Sequence, residues 1–342
     1  MTNENRLEAM KAVYTYFFPE VRPLVNMELN PKLFLTITPQ NEAQRIVDSM
    51  GFRKKLIVPE TLEGKVDLDR IHEPVIERIT EIYEPFVKGL KDFQYRYFTS
   101  GSSEGIFHVL SELKAKGVDK IFNFFGEYEG YKEYGKTLGI DTAEVPIESK
   151  VSGLEKGVWF ISNPSAIDGN IIPNERINEI CDLGNSVNLD LAYVGATRKH
   201  EFDITNPNIK KVFLSFSKPY GVFRWRIGFT FSREPIDSLY GNKWFKDISR
   251  VFTGLRLAEE IGPSGLYEKY KGIQEKIIDD LNQRYSLNMK TSDVLLLGNI
   301  SEKDSRIFSP EKIQMISQYR RGDGYRLCLT PYYELNETGG LK

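Results

Sequence analysis

No apolar run in this 342-residue chain approaches the length of about 20 residues that a helix needs to cross a bilayer. Cysteine is scarce: Cys181 and Cys328 stand far apart among apolar neighbours. Neither a disulfide framework nor a metal knuckle can be built from them, so they read as buried reduced thiols and favour a reducing compartment. The three histidines, His72, His108 and His200, show no ligand spacing, and no metal site is proposed. Charge of one sign is lacking too: 46 Lys and Arg face 48 Asp and Glu, leaving −2, without the basic footprint that nucleic acid demands. Met1 to Asn5 are polar and do not start a secretory signal. Repeats and low-complexity tracts are absent. The expectation is a cytoplasmic protein with neither membrane nor nucleic-acid partner.

What is present is an ordinary globular balance, 40% hydrophobic and 27% charged, on a chain long enough for a large domain plus a smaller one. Residues 1–65 read as an irregular lead-in, with a helix-like stretch from Arg6 to Phe17 followed by Pro-punctuated sequence. Ile71 to Leu90 shows helical periodicity. From residue 95 strands alternate with helices: strands at Tyr95–Thr99, Lys120–Phe124, Val158–Ser162, Val187–Leu191, Val212–Phe216 and Ile227–Phe231, and helices at about Ile106–Ala115, Tyr128–Leu138 and Glu175–Asp182. This alternation predicts an α/β fold, a mostly parallel sheet with helices on both faces. Long helical patterns follow at Trp244–Glu260 and Leu266–Tyr285. After them come an alternating stretch (Val294–Leu297), a helix near Pro310–Tyr319 and a strand at Tyr325–Thr330. The division expected is an N-terminal segment 1–65 beside the small domain, a large domain 66–243 and a small α+β domain 244–342.

Three motifs fall at predicted strand ends, where sites in such sheets gather. Ser100-Gly101-Ser102-Ser103 joins a strand to a helix and offers amides and hydroxyls to an anion, although such turns also cap helices. Asp190-Leu191-Ala192-Tyr193 supplies a carboxylate able to hold a ring nitrogen protonated, with a phenol three residues on. Ser215-Phe216-Ser217-Lys218 brings a lysine, the side chain that forms a reversible imine with an aldehyde. Arg226, eight residues after Lys218, supplies a forked donor that suits a phosphate, with Ser215 beside it.

In this order the motifs resemble the fold-type I pyridoxal-phosphate enzymes, specifically the class I/II aminotransferase branch. The resemblance spans roughly residues 95–330 and is strongest over 163–228. It implies pyridoxal 5'-phosphate as cofactor, Lys218 as its covalent Schiff-base anchor, and Asp190 on the ring nitrogen. Ala192 would pack under the ring and Tyr193 would contact the phenolic oxygen. Ser102, Ser103, Ser215 and Arg226 would hold the phosphate, and Ser217 is a further cofactor-binding residue. Tyr128, in Tyr128-Glu129-Gly130-Tyr131, resembles the aromatic that stacks on the ring, and a core tyrosine is the alternative reading. Arg326, alone in the apolar strand Tyr325–Thr330, resembles the arginine that grips the substrate carboxylate. Arg320 and Arg321, in a polar loop, read as solvated.

Two departures stand out. Relatives carry Asn-Pro-x-Asn-Pro-x-Gly where this chain has Asn163-Pro164-Ser165-Ala166-Ile167-Asp168-Gly169, and alignment on Gly169 and Pro173 places Ala166 at the second asparagine. Tyr193 is then left as the principal donor to the cofactor phenolate, and Asn163 could substitute only through a differently folded loop. The first 65 residues also hold no counterpart of the tyrosine that relatives lend to the partner subunit.

The resemblance implies an aminotransferase working between an amino acid and a 2-oxo acid, with Lys218, Asp190 and Tyr193 as catalytic residues, in a homodimer. The alternative on the same cofactor is a lyase, decarboxylase or racemase acting on an amino acid. The sugar-aminotransferase branch fits less well, because it usually lacks this aspartate–alanine–tyrosine plus terminal arginine set. A non-catalytic cofactor sensor is disfavoured by the intact lysine.

Overall fold

The computed structural model describes residues 7–12 and 16–339. Two helices, α1 (Gln40–Ser49) and α2 (Glu73–Tyr83), precede the sheet region. The helical periodicity of Ile71–Leu90 is realised only in α2; beyond it Gly89 takes φ 92°, and β1 (Val87–Lys88) pairs in parallel with a distant two-residue strand, Phe202–Asp203. The alternating region then delivers β2 (Tyr95–Thr99), α3 (Ser102–Ala115), β3 (Lys120–Phe124), α4 (Glu129–Leu138), β4 (Asp141–Val145), β5 (Val158–Ser162), α5 (Asn174–Asp182) and β6 (Ser186–Leu191). With β7 for Phe202–Asp203, it closes on β8 (Ile209–Ser215) and β9 (Gly228–Ser232).

Seven of these strands form one sheet in the order β2-β9-β8-β6-β5-β3-β4. Only β9 runs against its neighbours, and every other pairing is parallel. Both faces are covered, which is why β5 reads as a nearly unbroken apolar run and why β5 and β6 are buried along almost their whole length. On one face α3 and α4 seal Ile106, Leu110 and Tyr131 over Phe160 and Phe213. α3 lies so close to the sheet that a Cβ on Gly105 would come within 2.0 Å of the Thr230 hydroxyl.

The remainder comprises α6 (Ile248–Glu260), α7 (Tyr267–Tyr285), β10 (Lys290–Thr291), β11 (Leu297–Ile300), α8 (Glu302–Ser305), α9 (Pro310–Ile316), β12 (Arg320–Arg321), β13 (Gly324–Cys328) and α10 (Thr330–Glu337). The helix expected from Trp244 begins later, where the Asp247 carboxylate accepts from the Arg250 amide and caps α6. α6 packs against the sheet through Gly254, beside Ile227 and Phe229, and Arg78 of α2 pairs with Glu259 at 3.1 Å. A four-stranded antiparallel sheet, β10-β11-β13-β12, carries Arg326.

The helix expected over Arg6–Phe17 is absent from its described part, residues 7–12; Arg6 and residues 13–15 lie outside the described residues. β12 pairs only with Gly324 and Tyr325 of β13, which leaves the Cys328 end of that edge open. Met10 fills it, donating to the Cys328 carbonyl at 3.1 Å and accepting from its amide at 2.9 Å. Satisfying buried backbone groups outweighs local helical preference here. Glu8 and Ala9 are tied down by the hydroxyls of Tyr332 and Tyr319 at 2.9 and 2.8 Å. Arg22 forks onto Glu337 with two contacts of 2.7 Å.

Candidate active site

A cavity of about 440 Å³ opens at the carboxyl edge of the central strands. Topology explains its lining. β5, β6 and β8 are adjacent and parallel, so Ser162, Asp190 and Ser215 arrive at one edge, and Lys218 follows in the turn after β8. β9 runs the other way, so its beginning lies at that edge and brings Arg226 with it.

α3 begins at Ser102, a turn earlier than the sequence pattern predicted, so Ser102 and Ser103 sit in its first turn beside unpaired backbone amides. Gly101 precedes them at φ 77°, and a Cβ there would lie 2.8 Å from Arg226 Nη2. Gly228 is equally constrained, because a Cβ would reach Gly101 Cα at 2.5 Å. Arg226 itself holds a left-handed backbone (φ 53°, ψ 54°), a conformation that costs a non-glycine residue about 1–2 kcal/mol. That geometry turns its guanidinium onto the Ser100 carbonyl at 2.8 Å and into the cavity wall. Two glycines, a helix N-terminus, an arginine and serine hydroxyls therefore converge. The Ser217 hydroxyl is buried without a partner among the described residues.

Asp190 is 4% exposed at the cavity floor. Burial pushes its carboxyl up to about 6, against the pull of Lys218, the Ala192 amide and the hydroxyls of Tyr131 and Ser102. The Ala192 amide lies 3.1 Å from Oδ1, and the Tyr131 hydroxyl 3.5 Å from Oδ2. Lys218 Nζ stands 3.9 Å from the centre of the Tyr193 ring, an ammonium-over-aromatic contact. Tyr128 stands edge-on to Tyr131, with its hydroxyl 3.2 Å from Ser103. Burial lifts that phenol to about 12. Ala192 and Tyr193 complete this side of the wall.

Arg326 reaches the cavity from β13, 3% exposed. Its partners are backbone carbonyls: Ala166, and Lys11 at 3.3 Å. Its Nε has no partner among the described residues. Arg321 lines the same cavity, contrary to the solvated role read from its polar loop. The β12–β13 turn folds inward, packing Gly322 on Gly126 so tightly that a Cβ on Gly126 would lie 2.2 Å from the Gly322 amide. Arg321 pairs with Glu129 at 2.8 Å, and burial together with Arg326 lowers its proton affinity. Two adjacent arginines in sequence gave no signal as to which would be buried.

Asn163 is the predicted site residue that the structure does not bring to the cavity. Its carboxamide closes a pair of bonds with the Ile172 backbone, at 3.0 and 2.9 Å. Ala166 lines the cavity in its place.

The donor set matches a phosphorylated aromatic aldehyde: an anion cradle, a buried acid and a lysine line one cavity. Residues 77–258, more than half of the chain, match the profile of the family described as aminotransferase class I and II. The chain belongs to this aminotransferase family. Among curated relatives, histidinol-phosphate aminotransferase of Pyrococcus furiosus is 27% identical over 179 residues, 49% of this chain and 50% of that protein. The chain thus spans about half the length of the curated relatives it matches. Among solved structures, histidinol-phosphate aminotransferase from Sinorhizobium meliloti in complex with pyridoxal-5'-phosphate superposes with a TM-score of 0.57 at 13% identity, covering 93% of this chain and 84% of that one. A pyridoxal-phosphate-bound C-S lyase from Staphylococcus hominis gives 0.61 at 11%, covering 99% and 88%. Likeness at this identity establishes the shared fold. Pyridoxal 5'-phosphate is the cofactor of this aminotransferase family, and the cavity's residues fit it.

Proposed function

We propose that this chain is a pyridoxal-phosphate-dependent aminotransferase that moves an amino group between an amino acid and a 2-oxo acid. The observation that carries the reading is Arg326. Among the described residues it is a buried guanidinium held only by backbone carbonyls, in the same cavity as Lys218 and Asp190. A buried arginine without a countercharge is costly, and a substrate carboxylate bound as a fork would supply one.

The bound cofactor would supply an electrophilic aldehyde and a cationic ring that draws electrons from the substrate's α-carbon. Ser102, Ser103, Ser215, Ser217 and Arg226 would hold its phosphate. Asp190 would keep a proton on the ring nitrogen, which favours the ionised carboxylate once that charge is in place. Tyr193 would donate to the phenolic oxygen, Ala192 would lie under the ring, and Tyr128 would cover its other face. Lys218 Nζ would anchor the cofactor and then carry the proton away from the α-carbon. Asn163 is left with a scaffolding role in this reading.

Arg321 extends the reading to substrate class. It offers a second cation in the cavity, and its partner Glu129 is 64% exposed and free to swing away. A substrate with a second anion, carboxylate or phosphate, would use it. The exposed apolar residues Ile37, Ile57 and Leu62 offer surface for a second copy, in keeping with a homodimer, and two free, buried cysteines suit a reducing compartment such as the cytoplasm.

Single-turnover mixing of cofactor-loaded enzyme with a panel of amino acids tests the reaction. Stoichiometric release of a 2-oxo acid supports it. Carbon dioxide, an elimination product or a racemised substrate as the main outcome would assign the lyase, decarboxylase or racemase reading instead. Comparing substrates with one and two anionic groups, of each chemistry, tests Arg321.

A further inference from the structure

Behind the cavity wall lies a carboxyl group that the reading above leaves unused. Glu127 immediately precedes Tyr128 and is 4% exposed. Its oxygens receive the Ser162 hydroxyl, the Ser165 hydroxyl at 3.4 Å and the Tyr128 amide at 3.2 Å. The charged neighbour that acts on it most is Asp190, of like sign.

The Ser162 hydroxyl that meets Glu127 also accepts the Ala166 amide at 3.2 Å, and the Ala166 carbonyl receives Arg326. On the other side, Tyr131 lies between the two carboxyls, donating to Asp190 and influenced by both. Glu127 is therefore linked through one hydroxyl to the arginine on the substrate side, and across one phenol to the acid on the cofactor side. Two carboxylates on one buried wall do not both ionise readily at neutral pH, because desolvation and mutual repulsion add.

We infer that Glu127 is a positioning residue of this site: it keeps its proton after Asp190 has lost its own, and through Ser162 it fixes the Ala166 backbone on which Arg326 rests. The inference depends on the reading of Asp190 as the cofactor's acid. The groups that face Glu127 are Tyr128 and Tyr131 from α4 and its lead-in, Asp190 from the end of β6, and two neutral hydroxyls, Ser162 at the end of β5 and Ser165 in the loop after it. Lys218 acts on the pair from the turn after β8 by stabilising the Asp190 anion. Burial, helped by Asp190, pushes Glu127 up to about 7 against the pull of Ser162 and the Tyr128 amide.

A folded-state value raised above the unfolded 4.5 gives stability that is full below pH 4.5 and lost as pH rises through about 7. Thermal melting of the cofactor-free protein across that range, for wild type and Glu127→Gln, reads this directly. Glutamine keeps the shape, with its oxygen accepting from Ser162 and the Tyr128 amide and its NH2 donating to the Ser165 hydroxyl, but cannot ionise. The part of the wild-type loss that falls between about pH 6 and 7, above the Asp190 window, should therefore vanish in the variant. A residue that merely fills space would shift both curves evenly. In the loaded enzyme, Glu127→Ala should raise KM for α-amino acids severalfold while cofactor affinity holds.

Should Glu127→Gln fail to fold, carbon-13 NMR of labelled glutamate carboxyls in wild type gives the same answer. One glutamate titrating near pH 7 supports the inference. A variant melting curve parallel to wild type, or glutamates that have all titrated below about pH 6, overturns it. The melting and NMR readouts need no turnover, so they can fail while aminotransfer stands, and the reverse.

Discussion

The Arg326 guanidinium donates through Nη1 to the backbone carbonyl of Ala166, so the arginine proposed to grip substrate rests on the loop that also lines the cavity. The contact uses backbone, which any side chain at 166 can provide, and leaves Nε unpaired among the described residues. Arg326→Lys keeps the charge but loses the fork. Catalytic efficiency with α-amino acids should fall by roughly 1–3 kcal/mol, with much less change for simple amines. Steady-state kinetics on both substrate types checks this, and equal losses would assign Arg326 a structural role.

Asn163 and Ala166 separate scaffold from site. Because both ends of the Asn163 carboxamide bond to Ile172 in a buried loop, Asn163→Ala should cost about 1–3 kcal/mol in denaturant unfolding. The absorbance–pH titration of the loaded enzyme should stay as in wild type. A shifted titration would mean that Asn163 reaches the cofactor after all.

Asp190 carries a pH signature of its own. In the cofactor-free chain its carboxyl is raised from 3.8 to about 6, chiefly by burial. The associated stability is present below pH 3.8 and is lost as pH rises through about 6. Asp190→Asn should therefore gain stability over wild type across that window, on the order of 2–3 kcal/mol by its upper end, while slowing α-proton exchange in the loaded enzyme. Melting curves at several pH values test the first part, and deuterium exchange from solvent tests the second.

Gly101 combines a left-handed backbone with a 2.8 Å approach to Arg226. Gly101→Ala should cost about 1–2 kcal/mol of stability and displace the arginine. Cofactor affinity, followed by absorbance, should weaken more than KM for the amino substrate. An unchanged affinity would remove Arg226 and its turn from the anion cradle.

Much of the fold was readable because the central strands are covered on both faces and keep apolar runs such as Val158–Ser162. The strand Asp141–Val145 was not, since it is a polar edge strand whose one strand neighbour among the described residues is Lys120–Phe124. The extended path of residues 7–12 follows from Cys328, more than 300 positions away, and no local pattern encodes it. In the site, Lys218, Asp190 and Arg226 could be picked out by order and spacing, because a rigid sheet edge converts spacing into position. Arg321 and Glu127 could not. The inward fold of the turn at Gly322 buries one, and the like charge of Asp190 gives the other its character.

The central claim is that Lys218 carries the cofactor. Borohydride reduction of the loaded protein, followed by peptide mapping, tests it most directly. A pyridoxyl group on the peptide containing Lys218 is the predicted result; label on a different lysine, or none, would contradict the account.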